Sequence, residues 1–273
     1  MMDYFRGKHV LITGGSSGIG KALAKQLVGY GAHLTLIARR EELLHQTRAE
    51  IERPGAEVRV LPLDISSVEA VDAALPPLLD AHAPDMLINN AGVATPGRFL
   101  EQDPMEFRRH MEVNYFGMVH MTRAVAPRMV QRGQGHIANV GSLLSVMGIY
   151  GYSAYAASKF AMQGFTECVR GELKAAGIRV TILQPPDTDT PQHAAELEIM
   201  PKETRAIAGS VKMLSAEEVA RALLEGMAKN RFEVIPGLEG RATVAAHRIL
   251  PGLVRWVCDR SQRKAGSPRP AAG

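Results

Sequence analysis

The amino-acid sequence predicts an α/β fold, a doubly wound parallel sheet of about seven strands with helices on both faces. Short, continuous apolar segments alternate with helical patterns along most of the chain, which is typical of a parallel sheet buried on both sides. A glycine-rich turn joins the first strand to the first long helix. The chain has 273 residues, 46% of them hydrophobic, enough to bury one large core. We therefore expect a single domain over residues 1–273.

The expected elements begin with a unit of strand, helix and strand. An apolar strand at 9–13 leads into the glycine loop and a helical pattern to about residue 30, and a second apolar strand lies at 34–38. The pattern then repeats, with helices near 41–53, 68–81, 105–132, 154–176 and 216–229 and strands near 58–63, 86–89, 137–140, 179–183 and 233–235.

A long connection at about 187–215 separates the last two strands and carries few strand signals. Long connections in compact domains are usually binding loops or lids, so we expect a substrate lid here. Beyond the last strand we expect an amphipathic segment at about 244–260 and a flexible tail at 261–273.

Composition excludes several classes of protein. The net charge of +4 is modest and the chain has one Trp, which argues against the basic, aromatic surface of a nucleic-acid partner. Two cysteines, Cys168 and Cys258, are too few for a disulfide framework. No apolar run reaches the roughly 18 residues of a membrane-spanning helix, and no secretory signal is evident, so we expect a cytoplasmic protein. We expect no metal site, because no ligand partners lie at suitable spacing from His110, His120 and His193.

The glycine-rich turn reads Thr-Gly-Gly-Ser-Ser-Gly-Ile-Gly over 13–20. Backbone N–H groups and the positive end of a helix can bind a pyrophosphate at such a turn, and glycine lets the phosphates approach the backbone. The spacing differs from the general G-x-G-x-x-G pattern, so the motif fits by mechanism only. An ordinary tight turn is the alternative. The candidate cofactor contacts are Gly14, Ser16, Ser17, Gly18, Ile19 and Gly20.

Two arginines at the end of the second strand indicate which dinucleotide is bound. Enzymes that select NAD usually place an acidic residue there, whereas this chain has Arg39 and Arg40. Guanidinium groups suit a 2′-phosphate because they offer charged, often bidentate hydrogen bonds. The sequence thus favours NADPH over NADH. Arg39 is the stronger candidate, since Arg40 is equally well explained as a solvent-facing residue at a helix start.

A phenol and an ammonium group lie four residues apart, on one face of a helix, at Tyr155 and Lys159. A nearby positive charge favours the phenolate, which would lower the pKa of Tyr155 and suit it to acid–base catalysis. Ser142, at the end of a predicted strand, could place its hydroxyl beside the same reacting oxygen. A second strand-end turn lies at Asn90-Ala91-Gly92, and ligands of such folds bind outside the carboxyl ends of strands.

Taken in order, these motifs resemble the short-chain dehydrogenase/reductase family over about residues 8–236, which implies a Rossmann-type sheet. The resemblance rests on the glycine loop, Asp64, the 89–92 turn, Asn114, Ser142, Tyr155, Lys159 and the segment 185–190. It implies that Tyr155 protonates the nascent alkoxide, that Ser142 hydrogen-bonds the same oxygen, and that Lys159 holds the nicotinamide ribose and lowers the pKa of Tyr155. Asn114 would anchor a water in the proton relay.

The same resemblance completes the expected cofactor site. Asp64 would bind the adenine amino group and Asn90 the adenosine ribose, whereas taken singly Asp64 and Asn114 would more often be structural, as a loop cap and a polar group of a helix. The full set of expected cofactor contacts is Gly14, Ser16, Ser17, Gly18, Ile19, Gly20, Arg39, Arg40, Asp64, Ile65, Asn90, Ala91, Gly92, Tyr155, Lys159, Pro185, Thr188 and Thr190.

The segment 184–191, Gln-Pro-Pro-Asp-Thr-Asp-Thr-Pro, resembles one subgroup of the family, the 3-dehydrosphinganine reductases. Pro186 stands where most members have glycine. The likeness implies contacts from Thr188 and Thr190 to the nicotinamide carboxamide. Asp187 and Asp189 could attract the protonated amine of a 2-amino ketone, or they merely form turns beside the prolines.

The C-terminal segment and the long helices suggest further contacts. Pro251 can open a helix whose apolar residues include Leu253 and Trp256. Such a helix could cover a lipid-chain tunnel, rest in a membrane surface or pack in the core or against a subunit. The helices near 105–132 and 154–176 resemble those through which relatives form a homodimer or homotetramer.

These observations predict an NADPH-dependent reductase, and the resemblance implies a lipophilic small molecule as its substrate, with 3-dehydrosphinganine as the leading candidate. One alternative is a reductase or dehydrogenase of another lipophilic compound, such as a 3-oxoacyl thioester, a steroid or a retinoid. The other is a non-catalytic NADP-binding regulatory protein, which would have no need to keep Asn114, Ser142, Tyr155 and Lys159 together.

Overall fold

A computed structural model describes residues 1–208 and 212–265 of the chain. Seven parallel strands form the main sheet in the order β3-β2-β1-β4-β5-β6-β9. The strands are β1 (His9–Thr13), β2 (His33–Ala38), β3 (Val58–Pro62), β4 (Met86–Asn89), β5 (Gly135–Val140), β6 (Ile178–Leu183), β7 (Thr188–Asp189), β8 (Leu214–Ser215) and β9 (Glu233–Val234). The direction of the strand order reverses between β1 and β4, where ligands of doubly wound sheets bind.

The described helices lie on both faces of the sheet and continue past its last strand. They are α1 (Met2–Phe5), α2 (Gly18–Gly29), α3 (Glu41–Ile51), α4 (Val68–Ala81), α5 (Pro104–His110), α6 (Gly117–Arg132), α7 (Ser153–Lys174), α8 (Pro191–Ile199), α9 (Lys202–Ala208), α10 (Ala216–Ala228), α11 (Leu238–Ile249) and α12 (Pro251–Lys264). A π-helical turn, Met111–Phe116, joins α5 to α6.

The alternating side chains of β1 show why helices cover both faces. Val10 and Ile12 enter one apolar cluster with residues of α2 and α10, whereas Leu11 enters a second cluster with residues of α4 and α6. All three are fully buried. Because successive strand residues point to opposite faces, a strand that is apolar at every position needs a helical layer on each side.

The predicted fold class and the strands of the main sheet are confirmed, with bounds that differ by one or two residues. The region near 105–132 is helical but is interrupted by the π-helical turn. The predicted lid contains α8, α9 and a two-stranded sheet of β7 and β8, which the sequence did not indicate; residues 209–211 of it lie outside the described part.

The C-terminal part is more regular than the sequence suggested. Its amphipathic segment consists of α11 and α12, and Pro251 opens α12 at its first turn, as predicted. The predicted tail at 261–273 begins inside α12, and residues 266–273 of it lie outside the described residues. Within the described ranges, none of the helices combines the length and apolar character that crossing a bilayer requires.

Candidate active site

A cavity of about 260 Å³ opens at the carboxyl ends of β1, β4, β5 and β6. The glycine loop, the turn after β4, the start of α7 and the lid each contribute to its wall. The residues that line it and that the sequence singled out are Gly14, Ser17, Gly18, Ile19, Asn90, Ala91, Gly92, Ser142, Tyr155, Lys159, Pro185, Thr188 and Thr190. Asp187 and Pro186 line it as well.

The glycine loop has a backbone that only glycine adopts easily. Gly14 has φ +66°, and a Cβ added there would lie 2.8 Å from Asn90 Nδ2. A Cβ on Gly20 would lie 2.2 Å from the Gly14 carbonyl oxygen, so Gly20 lets the first turn of α2 pack onto the loop. Gly20 thus supports the loop and does not line the cavity.

The turn after β4 holds the loop in place. The Asn90 side-chain amide donates to the carbonyl oxygens of Thr13 (3.0 Å) and Gly14 (3.2 Å), and the Asn90 and Ala91 backbone N–H groups donate to Thr13 Oγ1 at 3.0 Å. Two adjacent strands, β1 and β4, are joined in this way at the point where the strand order reverses. Asn90 therefore stabilises the loop in addition to lining the cavity.

The loop and helix α2 fit the phosphates of a dinucleotide. Ser17 is the N-cap residue of α2 in extended conformation, and its side chain accepts no capping hydrogen bond. The first turn of α2 carries no acidic residue, so its N–H groups present an uncompensated positive end to the cavity. Side chains are absent at Gly14 and Gly18, which leaves the backbone open to a bound group.

Tyr155, Ser142 and Lys159 all line the cavity. Ser142 follows β5 and caps a short 3₁₀ turn, its Oγ accepting from Leu144 N–H at 3.1 Å. Its side chain also hydrogen-bonds with the Tyr155 phenol. The Lys159 Nζ donates to the Val140 carbonyl at 2.9 Å and lies 5.5 Å from the centre of the Tyr155 ring.

The expected lowering of the pKa of Tyr155 is wrong for the protein as the structure shows it. Burial raises the pKa of the phenol above its ordinary value, and the negative charges of Glu196 and Asp187 add to the increase, against a lowering effect of the Ser142 hydrogen bond. Burial also lowers the pKa of Lys159 to about 8, which Glu196 partly opposes. The phenol therefore stays protonated at neutral pH.

Asn114 lies in the π-helical turn and is fully buried. Its Oδ1 accepts from Val93 N–H at 2.8 Å, and its Nδ2 donates to the Val93 carbonyl at 3.0 Å and to Ser158 Oγ at 2.9 Å. Ser158 Oγ donates in turn to the Tyr155 carbonyl at 2.7 Å. Asn114 does not line the cavity, but it ties the turn after β4 to the helix that carries Tyr155.

Five of the expected cofactor residues besides Gly20 lie outside the cavity lining. Ser16 is buried, and its carbonyl accepts from Thr47 Oγ1. Ile65 belongs to the second apolar cluster and packs against Gly117 of α6. The other three lie at the ends of β2 and β3: Arg39, Arg40 and Asp64.

The charge of Arg39 acts on the Asp64 carboxyl at this edge of the sheet. Burial raises the pKa of the Asp64 carboxyl, but hydrogen bonds from Ser66 and the charge of Arg39 bring it below its ordinary value. Arg39 and Arg40 are exposed, and Arg40 is the N-cap residue of α3, which agrees with its interpretation as a helix-start residue.

The lid touches the glycine loop. Thr190 is the N-cap residue of α8, its Oγ1 accepting from His193 N–H at 3.2 Å, and its Cγ2 would be 3.1 Å from a Cβ on Gly18. Thr188 Oγ1 donates to the Pro186 carbonyl at 2.8 Å. Asp189 is exposed and outside the cavity lining, so of the two aspartates only Asp187 faces the cavity.

Two buried residues of the cavity wall were not predicted as site residues. Glu196 of α8 accepts from the Tyr152 hydroxyl at 2.7 Å, and the Tyr152 ring lies 5.7 Å from the ring of Tyr155. Tyr152 was recognisable three residues before Tyr155. Glu196 carried no signal, because a single Glu in a predicted loop is usually solvated.

Comparison with known proteins identifies the class of protein. The family model for short chain dehydrogenases matches residues 8–199, more than half of the chain. The chain therefore belongs to the short-chain dehydrogenase/reductase family and acts on a small molecule as an oxidoreductase that uses a nicotinamide dinucleotide.

Two relatives and one solved structure are similar to most of this chain. The chain is 37% identical to the 3-ketodihydrosphingosine reductase of Bos taurus over 240 residues and 38% identical to the 3-dehydrosphinganine reductase of Danio rerio over 240 residues. Each alignment covers 86% of this chain and 72% of the relative. Among solved structures, a short-chain dehydrogenase from Sphingobium yanoikuyae in complex with NADPH is similar with a TM-score of 0.77 and 28% identity, over 97% of this chain and 98% of that one.

Proposed function

We propose that the protein reduces the ketone of 3-dehydrosphinganine to the alcohol of sphinganine, with NADPH as the reductant. The observation that carries this proposal is the convergence of Tyr155, Ser142 and Lys159 on one cavity, next to the Pro-Pro-Asp-Thr-Asp-Thr-Pro segment. Relatives that are named as reductases of this ketone support the substrate.

The chain's own residues supply the proton and the orientation. Tyr155 donates its phenolic proton to the ketone oxygen, and the Ser142 hydroxyl stabilises the developing negative charge there by hydrogen bonding. When bound, the reduced nicotinamide supplies the hydride that the ketone carbon accepts. One hydride and one proton thus convert the ketone to a secondary alcohol.

We assign the cofactor to the glycine loop, the turn after β4 and the arginines after β2. Gly14, Ser17, Gly18 and Ile19 would hold the pyrophosphate, and Arg39 the 2′-phosphate. Lys159 would hold the nicotinamide ribose, and Thr188 and Thr190 the carboxamide. Asn114 would hold a water near Lys159, since its Oδ1 lies 3.2 Å from a Cβ placed on Gly92, and the Lys159 Nζ lies 3.7 Å from the same position.

The test is the loss of NADPH absorbance with purified protein and 3-dehydrosphinganine in detergent. Parallel assays with NADH and with a short 3-oxoacyl thioester provide the comparison. Turnover that is specific to the sphingoid ketone and to NADPH supports the proposal. Turnover of the thioester alone would support a reductase activity but exclude 3-dehydrosphinganine as its substrate. Binding of NADPH without turnover of either compound would favour the non-catalytic regulatory protein.

We further propose that the C-terminal helices bring the enzyme to the cytoplasmic face of a membrane. Helix α12 buries none of its residues, and Leu253 and Trp256 are each about half exposed. Arg260 lies 5.5 Å from the Trp256 ring, so an apolar face and basic groups occur together. Helix α11 also contributes Thr243 to the cavity, which links this surface to substrate entry.

Flotation with anionic liposomes tests this contact. The protein should float with the vesicles, and the Trp256→Ser variant should float less. Equal behaviour of the variant and the original protein would remove the membrane contact, and α12 would then be a candidate for subunit packing.

We also propose a homodimer or homotetramer formed through α6 and α7. Phe116, the last residue of the π-helical turn before α6, and Phe160, in α7, are 40% and 46% exposed, and both would be covered in such an assembly. Light scattering after size exclusion tests it: Phe160→Glu should lower the molar mass, whereas a monomeric original protein would contradict the proposal.

A further inference from the structure

The cavity wall contains a carboxylate that the proton transfer does not use. Glu196 lies on α8 of the lid with 8% of its surface exposed. Its Oε2 accepts from the Tyr152 hydroxyl at 2.7 Å, and its Oε1 accepts from Gln192 Nε2 at 3.0 Å. These hydrogen bonds fix the carboxylate at the wall of the cavity that also contains Tyr155 and Ser142.

This carboxylate is close to the reacting group. The rings of Tyr152 and Tyr155 lie 5.7 Å apart, and Tyr152 is the direct hydrogen-bond partner of Glu196. The charge of Glu196 acts on the Tyr155 phenol, on Lys159 and on Asp187. Asp187 lines the same cavity, so two carboxylates border the space next to the proton donor.

The charges at this wall are not balanced by an ion pair. Neither Glu196 nor Asp187 forms a salt bridge with a lysine or arginine in the part of the chain that the structure describes. The Lys159 Nζ donates to the Val140 carbonyl instead, and His193 acts on Asp187 through its charge when protonated. Two carboxylates thus border the cavity without a lysine or arginine partner, and their charge would attract a cationic group placed in the cavity.

We propose that Glu196, assisted by Asp187, binds the ammonium group of a 2-amino ketone and so selects amino ketones over other lipophilic ketones. The inference deepens the proposed function and rests on it. The amine-bearing carbon of such a substrate is bonded directly to the ketone carbon, so the ammonium group lies beside the oxygen that Tyr155 protonates. Glu196 therefore both selects the substrate and orients its ketone, and it is a specificity residue that the motifs of the sequence did not reveal.

The test compares Glu196→Gln with Glu198→Gln, a matched change at an exposed position of the same helix. Gln keeps the size and the hydrogen-bond acceptor for Tyr152 but removes the charge. Each variant is assayed with 3-dehydrosphinganine and with the same long-chain hydroxy ketone without the amino group. E196Q should lower kcat/KM for the amino ketone roughly 10- to 100-fold more than kcat/KM for the other ketone, the worth of a charged hydrogen bond. E198Q should change neither.

Equal losses on both ketones would overturn the proposal, because Glu196 would then act only by holding Tyr152 and the lid. If E196Q does not fold, as judged by its thermal unfolding, Asp187→Asn provides the same comparison between the two ketones. An unchanged preference in that variant would likewise count against the carboxylate pair.

A binding measurement separates this inference from the proposed function. Dodecylamine should compete with the substrate, or stabilise the NADPH-loaded protein against thermal unfolding, more strongly than dodecanol does. The E196Q variant should lose that difference. If the original protein does not reduce 3-dehydrosphinganine but still prefers the amine, the substrate proposal fails and the ammonium site stands. If it reduces the ketone but does not distinguish amine from alcohol, the function stands and the ammonium site fails.

Discussion

The Lys159 ammonium lies 5.5 Å from the centre of the Tyr155 ring and donates to the carbonyl of Val140, the last residue of β5. The spacing of four residues places both side chains on one helical face, and the hydrogen bond to the strand end fixes how far Lys159 reaches into the cavity. Burial around them has opposite effects, raising the pKa of the phenol and lowering that of the ammonium group.

This pair predicts the pH dependence of reduction. Tyr155 stays protonated well above neutral pH because its pKa is raised, whereas Lys159 loses its charge as the pH rises through about 8. We therefore expect kcat/KM to be constant below about pH 8 and to fall above it. The measurement is made at limiting NADPH, so that it reports the titration of the free enzyme. A profile that stays level through about pH 10, where an ordinary lysine titrates, would contradict the assignment.

Removal of the phenolic hydroxyl should abolish the chemistry and leave cofactor binding intact. Tyr155→Phe is expected to lower kcat about 10²- to 10⁴-fold, the contribution typical of a general acid. NADPH binding, followed by fluorescence, should change little. Tyr150→Phe, nearby but outside the cavity lining, is the control and should retain turnover. Undiminished turnover of the Tyr155 variant would remove it as the proton donor.

Two glycines of α2 provide a matched test of the loop. A Cβ at Gly20 would lie 2.2 Å from the Gly14 carbonyl oxygen, whereas one at Gly29 would meet nothing within 4 Å. Gly20→Ala should therefore displace the loop and weaken NADPH binding at least tenfold, because the Gly14 backbone cannot move aside without a large energetic cost. Gly29→Ala should bind normally and gain up to about 1 kcal/mol of stability. Calorimetric titration and thermal unfolding measure both, and equal NADPH affinities would contradict the role of the loop.

The choice of cofactor should depend on Arg39. Arg39→Glu is expected to lower the preference for NADPH over NADH roughly 10- to 100-fold, because it replaces a partner of the 2′-phosphate by a repelling charge. Arg40→Glu tests the alternative for Arg40, which is that this residue only begins α3 and does not contact the cofactor. The ratio of kcat/KM for the two cofactors is the measurement. A larger effect at Arg40 than at Arg39 would reverse the assignment.

Acid should destabilise the fold through buried histidines. Burial lowers the pKa of His136 to about 3 and that of His9 to about 4, and hydrogen bonds to threonine hydroxyls use a ring nitrogen of each. Below about pH 6.5 these histidines take up protons in the unfolded chain but not in the folded chain. The free energy of unfolding therefore falls as the pH decreases from that value towards the pKa values of the folded state. Each of these two histidines should lower the free energy of unfolding by about 2 kcal/mol at about pH 5.

Urea unfolding at neutral pH and at about pH 5 measures this loss. His136→Gln, which does not titrate, should be less stable at neutral pH but should lose less free energy of unfolding on acidification. Replacement of the exposed His45 provides the control and should change the pH dependence less than His136→Gln does. An unaltered pH dependence in the His136 variant would show that other groups cause the acid loss.

Much of the fold was accessible from the sequence because its signals are local. Apolar strands such as 9–13 and the glycine loop depend on neighbouring residues alone, and their order along the chain restricts the topology to a doubly wound sheet. The interruption at Met111–Phe116 was not predicted, because this segment contains no Gly or Pro to mark an irregular turn. The lid was expected only as a loop, since the pairing of Thr188 with Leu214 joins segments distant in sequence.

The sequence by itself determined the fold class and the glycine loop, and the spacing of four residues placed Tyr155 and Lys159 on one helical face. The role of Ser142 was predicted only from the resemblance to the family. Only the tertiary structure decided the state and surroundings of these groups. The raised pKa of Tyr155 depends on burial and on the charge of Glu196, a residue 41 positions away that α8 brings into the cavity. Desolvation and long-range charge arise from packing, so they have no counterpart in a local pattern of residues.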